Sequence, residues 1–441
     1  MRGLRSRLRL GAEDPFRDAN IRLLFGAQGV SSLGTQVSNI AFPLIAIDVI
    51  QASNGSIALM QGAFMVPFVL FGLPVGAIVD RRARRPVLIA MDLVRMGALL
   101  FVPAAALAGV LQMPVLLLVL FVMGTCSLMY DVAHQSFLPS LLRGGGLATA
   151  NSRLITMEAG SGVVGPSIAG LAVARLGGPL ALIVDSFSYL ISALMLRRVQ
   201  HLEVTPDDEA PRSIALSRIQ GMRRAWVSLR NDVREGLSWV IGNPHLRGNA
   251  AAALLFNFFG GIASAPLLIA YARRELALPP ELIGLILGAG IIGLVVGSSA
   301  AGAIATRFGV GRTIIAGGFI LPILPLGFAL IDVSMGPLLV TVLAIAVQIV
   351  AFFGAALFHV NQVTYRQLVT PDRLLGRMNA SMKWLMLLGL PLGTIVGSVV
   401  ADSAGLRAAL FVGSIGVLVA PLPLLVSGIS AVERQPERVR T

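Results

Sequence analysis

Lysine is all but missing from this chain: Lys383 stands alone, and the other 34 of its 35 basic residues are arginines. A nucleotide-binding P-loop needs a lysine followed by Ser or Thr after its glycines, whereas Lys383 is followed by Trp384, so ATP hydrolysis by that route is excluded. Cys126 is the single cysteine, which rules out an intrachain disulfide and a cysteine-built zinc site. The four histidines form no HExxH pair and no GxSxG elbow occurs, so an enzyme is not expected, nor a metal or a cofactor. Charge is scarce as well. Only 13% of the 441 residues are charged while 56% are hydrophobic, far too little polar surface for a soluble domain of this size.

What fills the chain instead is a series of long apolar runs. A hydrocarbon core of about 30 Å takes roughly 20 helical residues at about 1.5 Å each. Runs of that kind lie near 21–49, 56–79, 87–110, 114–139, 148–174 and 179–196, then near 246–272, 281–306, 312–332, 337–362, 376–401 and 406–430. The expected fold is therefore all-α and integral to a membrane, with twelve transmembrane helices. Residues 1–20 precede an N-terminal six-helix half at 21–196. A charged linker at 197–245 leads to a C-terminal half at 246–430 and a tail at 431–441.

The basic residues are unevenly placed. Loops between odd and even spans hold only Arg175, Arg273, Arg274 and Arg407, and the remaining 31 lie in or beside the termini, the linker and the even-to-odd loops. Cytoplasmic loops attract Lys and Arg, so both termini and the linker are expected in the cytoplasm. The formal charge of +13 is thus a topology signal. Nucleic-acid binding would need a basic face on a soluble fold and is not expected. The first apolar run is too long for a signal-peptide core and stays as the first span.

The two halves repeat each other. Gly76-Ala-Ile-Val-Asp80-Arg81-Arg82-Ala83-Arg84-Arg85 is echoed by Gly302-Ala-Ile-Ala-Thr306-Arg307-Phe308-Gly309-Val310-Gly311-Arg312, an offset of 226 from Gly76 to Gly302. Asn151 matches Asn379 at an offset of 228, and Gly170 and Gly178 match Gly397 and Gly405 at 227. Parallel repeats of six spans are the build of a two-domain secondary transporter.

These residues also carry a resemblance. Gly76, Asp80, Arg81, Arg84 and Arg85 match the loop motif of the major facilitator superfamily. Further stretches, among them Asp92-Leu-Val-Arg95, Phe137-Leu-Pro-Ser-Leu, Ala150-Asn151-Ser152 and Leu375-Gly376-Arg377-Met378-Asn379-Ala380, resemble its drug-efflux branch of macrolide and enterobactin exporters. Gly165-Pro166 with Gly170 partly matches the antiporter signature of exporters. The resemblance implies a latch at Asp80 that holds the halves together on the cytoplasmic side. It also implies a cavity lined by spans one, four, seven and ten. Many members carry an acid in span one where this chain has Thr35.

An ionisable group inside a bilayer is costly and therefore a functional candidate. Glu158 falls near the middle of span five, Asp185 some six residues into span six, and Asp131 near the cytoplasmic end of span four. These three are the candidates for proton coupling, since a carboxyl in such a setting can load and release a proton near neutral pH. Asp92 and Arg95, three apart, can pair on one helix face and are read as support beside the hairpin. In span one Gln28, Ser32, Thr35 and Asn39 form a polar stripe at helical spacing. The resemblance adds Asn257, Gln348, His359 and Gln362 as cavity candidates.

The expected function is alternating-access export of an amphipathic organic compound, drug-like or siderophore-like, from a bacterial cell, driven by the proton gradient. The partners are the small-molecule substrate, protons and the lipid bilayer, and a monomer in the cell membrane is expected. A dedicated exporter of one host metabolite, a lysophospholipid-type carrier and a non-transporting membrane sensor are the alternatives.

Overall fold

The computed structural model describes residues 15–79, 82–142, 146–200 and 234–432. Asp80 and Arg81 of the hairpin, and most of the linker, lie outside the described residues. Among the described residues there is no strand, and twelve helices are long and apolar enough to cross a membrane. Within a bilayer every backbone N–H and C=O must be satisfied by the segment itself, which is why these apolar runs become helices.

The first half comprises Ala19–Leu44 running into a π turn at Ile45–Val49, then Asn54–Val79, Arg84–Leu107, Met113–Leu141, Leu147–Leu176 and Gly178–Arg198. In the second half span seven is broken into Pro244–Ile262 and Ala265–Arg274. Span eight is Pro280–Phe308, and span nine is Val310–Ile320 with Ile323–Leu330. Pro337–Leu368, Asp372–Ala404 and Leu406–Val419 with Leu422–Val426 complete the set. Residues 234–242, placed within the linker on the sequence, are helical and lean on span eleven through Glu235 and Arg377.

Turn chemistry marks the repeat. Gly177 (φ 78°) ends span five and Gly405 (φ 89°) ends span eleven, each a single left-handed residue joining one helix to the next. A side chain would be strained there. These two are 228 apart, the offset of Asn151 and Asn379, so the true counterpart of Gly405 is Gly177 and not Gly178. Gly178 has its own constraint: a Cβ there would stand 2.7 Å from Ile45.

Packing differs at the two ends of the bundle. At the end away from the linker, one continuous apolar core joins both halves. Leu44, Ile45, Ile57 and Leu182 from the first half pack with Leu267, Tyr271, Ile283, Phe328 and Leu410 from the second. At the linker end the described residues form separate cores. One, around Leu24, Leu88, Phe137 and Leu196, belongs to the first half; two, around Ile314 with Phe358 and around Leu246 with Met382, belong to the second. The seam is tightest at small residues. A Cβ on Gly284 would stand 2.3 Å from the Pro166 carbonyl oxygen, and one on Gly170 would stand 2.5 Å from that of Pro280. Glycine allows this backbone-to-backbone approach between membrane helices. The bundle is thus closed at the far end and divided at the linker end.

A candidate binding cavity and the charge network behind it

A cavity of about 630 Å³ lies between the halves beneath the closed seam. Span one supplies its polar wall. Gln28, Ser32, Thr35 and Asn39 all line it, joined by Ser31, Gln36 and Ser38. Gln28, Ser32, Thr35 and Asn39 are successively four, three and four residues apart and share one helix face, which the other three flank. The apolar wall is made by Phe42, Met60, Phe64, Met65, Leu120 and Met123 of the first half, roofed by Pro266, Ile269 and Leu287 of the second.

Two carboxylates open into this space. Glu158 is exposed to it, and Gln28 Nε2 approaches Glu158 Oε1 at 3.5 Å. Arg153, on the same helix as Glu158, places its guanidinium over the Phe16 ring at 4.6 Å. Asp131 stands on the cavity wall, well inside span four and not at its end. Lys383 of span eleven, Arg95 and Glu158 act on it electrostatically.

Asp92 and Arg95 pair within span three, as their spacing led one to expect, and the pair also engages spans four and six. Asp92 is fully buried, accepts from Arg95 Nη2 at 2.6 Å and from Ser192 Oγ of span six at 2.6 Å. The Arg95 guanidinium lies between two rings, 4.5 Å from Tyr130 and 4.4 Å from Tyr189, and reaches the cavity wall. Cation–π contact on both faces with a carboxylate at the edge is a setting in which arginine tolerates burial. Asp185 lies one layer further back. It is fully buried and does not line the cavity; Ser38 Oγ of span one and Ser188 Oγ donate to its two oxygens. Gly34 makes room, since a Cβ there would stand 2.4 Å from Asp185 Oδ1. Asp185, Ser188, Tyr189 and Ser192 recur at i, i+3, i+4 and i+7, a second polar stripe on span six that helical periodicity could have revealed.

The candidates from the second half sit elsewhere. Asn257 Nδ2 donates to the Ala253 carbonyl of its own helix at 2.9 Å, and His359 is exposed outside the cavity lining. Gln348 is buried beside Leu268 and Phe328 in a small apolar crevice. Gln362 donates to Asn249, tying span ten to span seven. The glycine–proline stretch of span five is a packing surface. A Cβ on Gly165 would collide with Gln36 of span one at 2.3 Å, while Pro166 and Gly170 meet span eight.

Of the hairpin, Gly76 is helical with open space where a Cβ would be, and Arg84 opens span three. Arg85 Nε donates to the Leu196 carbonyl at 3.0 Å and its Nη2 to that of Arg197, satisfying the carbonyls left free at the end of span six. The proposed latch at Asp80, with Arg81, falls outside the described residues.

Contacts between the halves are visible at the opposite end, made by Asp402 and Asp48, which the sequence did not single out, and by Arg273 and Arg274, which entered it only as loop charges. Asp402 of span eleven accepts from the Gly55 amide at 2.6 Å and from Ser53 Oγ at 3.2 Å, capping the start of span two from the other half. Arg273 Nε donates to Asp48 Oδ1 at 3.1 Å, and Arg274 donates to Asn54 Oδ1 at 2.5 Å and the Ala52 carbonyl at 2.7 Å.

The sequence profile of the transmembrane secretion effector family matches residues 11–438. An uncharacterized MFS-type transporter of Bacillus subtilis (strain 168), YkuC, is 26% identical over 263 residues, 58% of this chain and 57% of that relative, so little more than half of it is spanned. Among solved structures, a bacterial homologue of the iron transporter ferroportin in its inward-facing state superposes with a TM-score of 0.69 at 17% identity, covering 92% of this chain and 98% of that one. The TM-score is 0.55, again at 17% identity, for the same type of homologue in its outward-facing state, with 92% and 99% covered. A bacterial homologue of the human lysosomal transporter Spinster, inward-facing, gives 0.67 at 13% identity over 95% and 98%.

Proposed function

The chain belongs to the transmembrane secretion effector family, is a membrane transporter of the major facilitator type, and from that starting point we propose that it exports amphipathic organic compounds by proton antiport. The observation that carries this reading is the cavity itself. Its volume of about 630 Å³ lies within the range of small-molecule sites, roughly 300–1,000 Å³, and its walls are apolar on one side and polar on the other. Phe42, Phe64 and the methionines offer adaptable apolar contact, and the stripe of span one offers hydrogen bonds.

The linker end is the cytoplasmic one on the positive-inside rule, and the location is the cell membrane. The structure is then a conformation closed to the outside, with the far-end seam and the Asp402 and Arg273 contacts holding it shut. Substrate enters from the cytoplasmic side, the seam parts, and the linker-end cores close against each other through the hairpin of Asp80. The carboxylates at Glu158 and Asp131 attract a cationic or polar part of the substrate or exchange protons with it.

Uptake of dyes and drugs into inside-out vesicles under an imposed pH gradient tests this. Wild-type uptake that collapses with an uncoupler, and falls by an order of magnitude or more in Glu158→Gln, is expected. Failure of wild type to move any of a broad panel would overturn the polyspecific reading in favour of a dedicated metabolite or lipid carrier.

A further inference from the structure

We propose that the linker end of the second half binds an anionic phosphate group, carried by a lipid headgroup or by a soluble phosphate, with Arg366 of span ten as its anchor. Arg366 lies in the last turn of Pro337–Leu368 and does not line the cavity, so the site is separate from the one described above. The residue is half-buried, yet its Nε and Nη1 atoms are shut off from solvent and have no hydrogen-bond partner. Among the described residues no carboxylate bonds it or acts on it electrostatically. Arginine carries only donors and keeps its charge at any working pH. Buried donors left unmet are costly, and more so on a charged group. The setting calls for a ligand that brings both acceptor oxygens and negative charge. Water brings only the first.

Other unpaired nitrogens gather at the same end. Tyr365, next to Arg366, meets the ring of His245 edge-on at 6.0 Å, at the start of span seven. Val369, at the C-cap of span ten, packs on the small core of Val240, Leu246 and Met382. Trp239, from the helical stretch 234–242, packs on that core as well. Trp239 Nε1 and His245 Nδ1 are both buried without a partner. An indole nitrogen is a donor only, and an imidazolium donates from both of its nitrogens. The backbone amides at the start of span seven are already met, since Asn243 Oδ1 accepts from His245 and Leu246. The nearby acid is engaged too, because Glu235 pairs with Arg377.

The linker end is the cytoplasmic one on the positive-inside rule, and basic pockets between membrane helices on that side suit phosphate-bearing headgroups. The main cavity presents the opposite sign, with Glu158 and Asp131 on its wall. A phosphate seated at Arg366 ties span ten to the neighbouring start of span seven and to the stretch 234–242.

Thermal unfolding of the purified full chain in detergent, with added phosphatidylglycerol, phosphatidylcholine or inorganic phosphate, tests the site. Phosphatidylglycerol is expected to raise the wild-type midpoint well above the rise given by phosphatidylcholine. Arg366→Gln is expected to lose that excess, and Arg198→Gln, which changes an exposed arginine at the same end of the first half, to keep it. A rise with inorganic phosphate as large as that with phosphatidylglycerol, and equally lost in Arg366→Gln, supports the site with a soluble occupant. An excess that persists in Arg366→Gln overturns the proposal. So does one lost equally in Arg198→Gln, since surface charge alone would then explain it. Should Arg366→Gln fail to fold, native mass spectrometry of the wild type decides. Retention of neither phosphatidylglycerol in preference to phosphatidylcholine nor phosphate overturns the site. None of these readouts depends on transport, so the export reading stands or falls separately.

Discussion

The two six-span halves share a fold and a repeat, yet they divide the work unequally. Asp92, Arg95, Asp131, Glu158 and Asp185 all belong to the first half, and so do most of the side chains around the cavity. The second half roofs the cavity with Ala265, Pro266, Ile269 and Leu287, and its Lys383 reaches Asp131 only electrostatically. Repetition has conserved the scaffold, meaning helix number, single-glycine turns and close-packed glycines, while chemistry has concentrated in one copy.

The sharpest way to break the comparison is to attack the charge pair of the first half. Arg95→Leu leaves Asp92 buried without its cation, and removing one partner of a buried pair costs about 3–5 kcal/mol. A large fall in the midpoint of thermal unfolding in detergent is the expected outcome. Where the halves touch, Gly284→Val puts a branched side chain against the Pro166 carbonyl, and overpacking of this kind costs about 1–3 kcal/mol. Here the seam is expected to loosen, seen as a longer distance between spin labels at the far ends of spans five and eight. In the second half Gln362→Ala removes the hydrogen bond to Asn249, and such interhelical bonds average about 0.6 kcal/mol. Its unfolding midpoint should barely move; a loss as large as that of Arg95→Leu would erase the contrast between the halves.

The smallest effect concerns a turn of the second half. Asp332 is held well down from 3.8, to about 2, by the hydrogen bond from Arg407 and then by the Ser334 amide. Its folded value lies below the unfolded one. The contribution is therefore present above about pH 4 and is lost as the pH falls towards 2. Amide exchange in the turn at 331–336 should quicken over that window in wild type and show no such step in Asp332→Asn.

Much of this was legible in the sequence, for a physical reason. Lipid forces helices, so long apolar runs give the spans almost directly, and Gln28, Ser32, Thr35 and Asn39 show their shared face by spacing alone. What could not be read was which helices meet. The role of Arg95 depends on Tyr130 and Tyr189 from two other spans, and that of Asp402 on a backbone amide in the opposite half. Asn257, Gln348 and Gln362 have the composition of cavity residues but are turned to their own half. Asp185 stood out as a buried acid, but that Ser38 of span one and Ser188 bond its two oxygens could not be read.

The division of the apolar cores also bears on how the chain is made. The linker-end core around Leu24, Phe137 and Leu196 can consolidate as soon as span six has left the ribosome, because all its members are by then present. The far-end core cannot. Leu44, Ile57 and Leu182 find their partners in Leu267, Tyr271 and Phe328, which are synthesised only after the linker. The first half therefore waits in the bilayer with one end finished and the other covered by lipid.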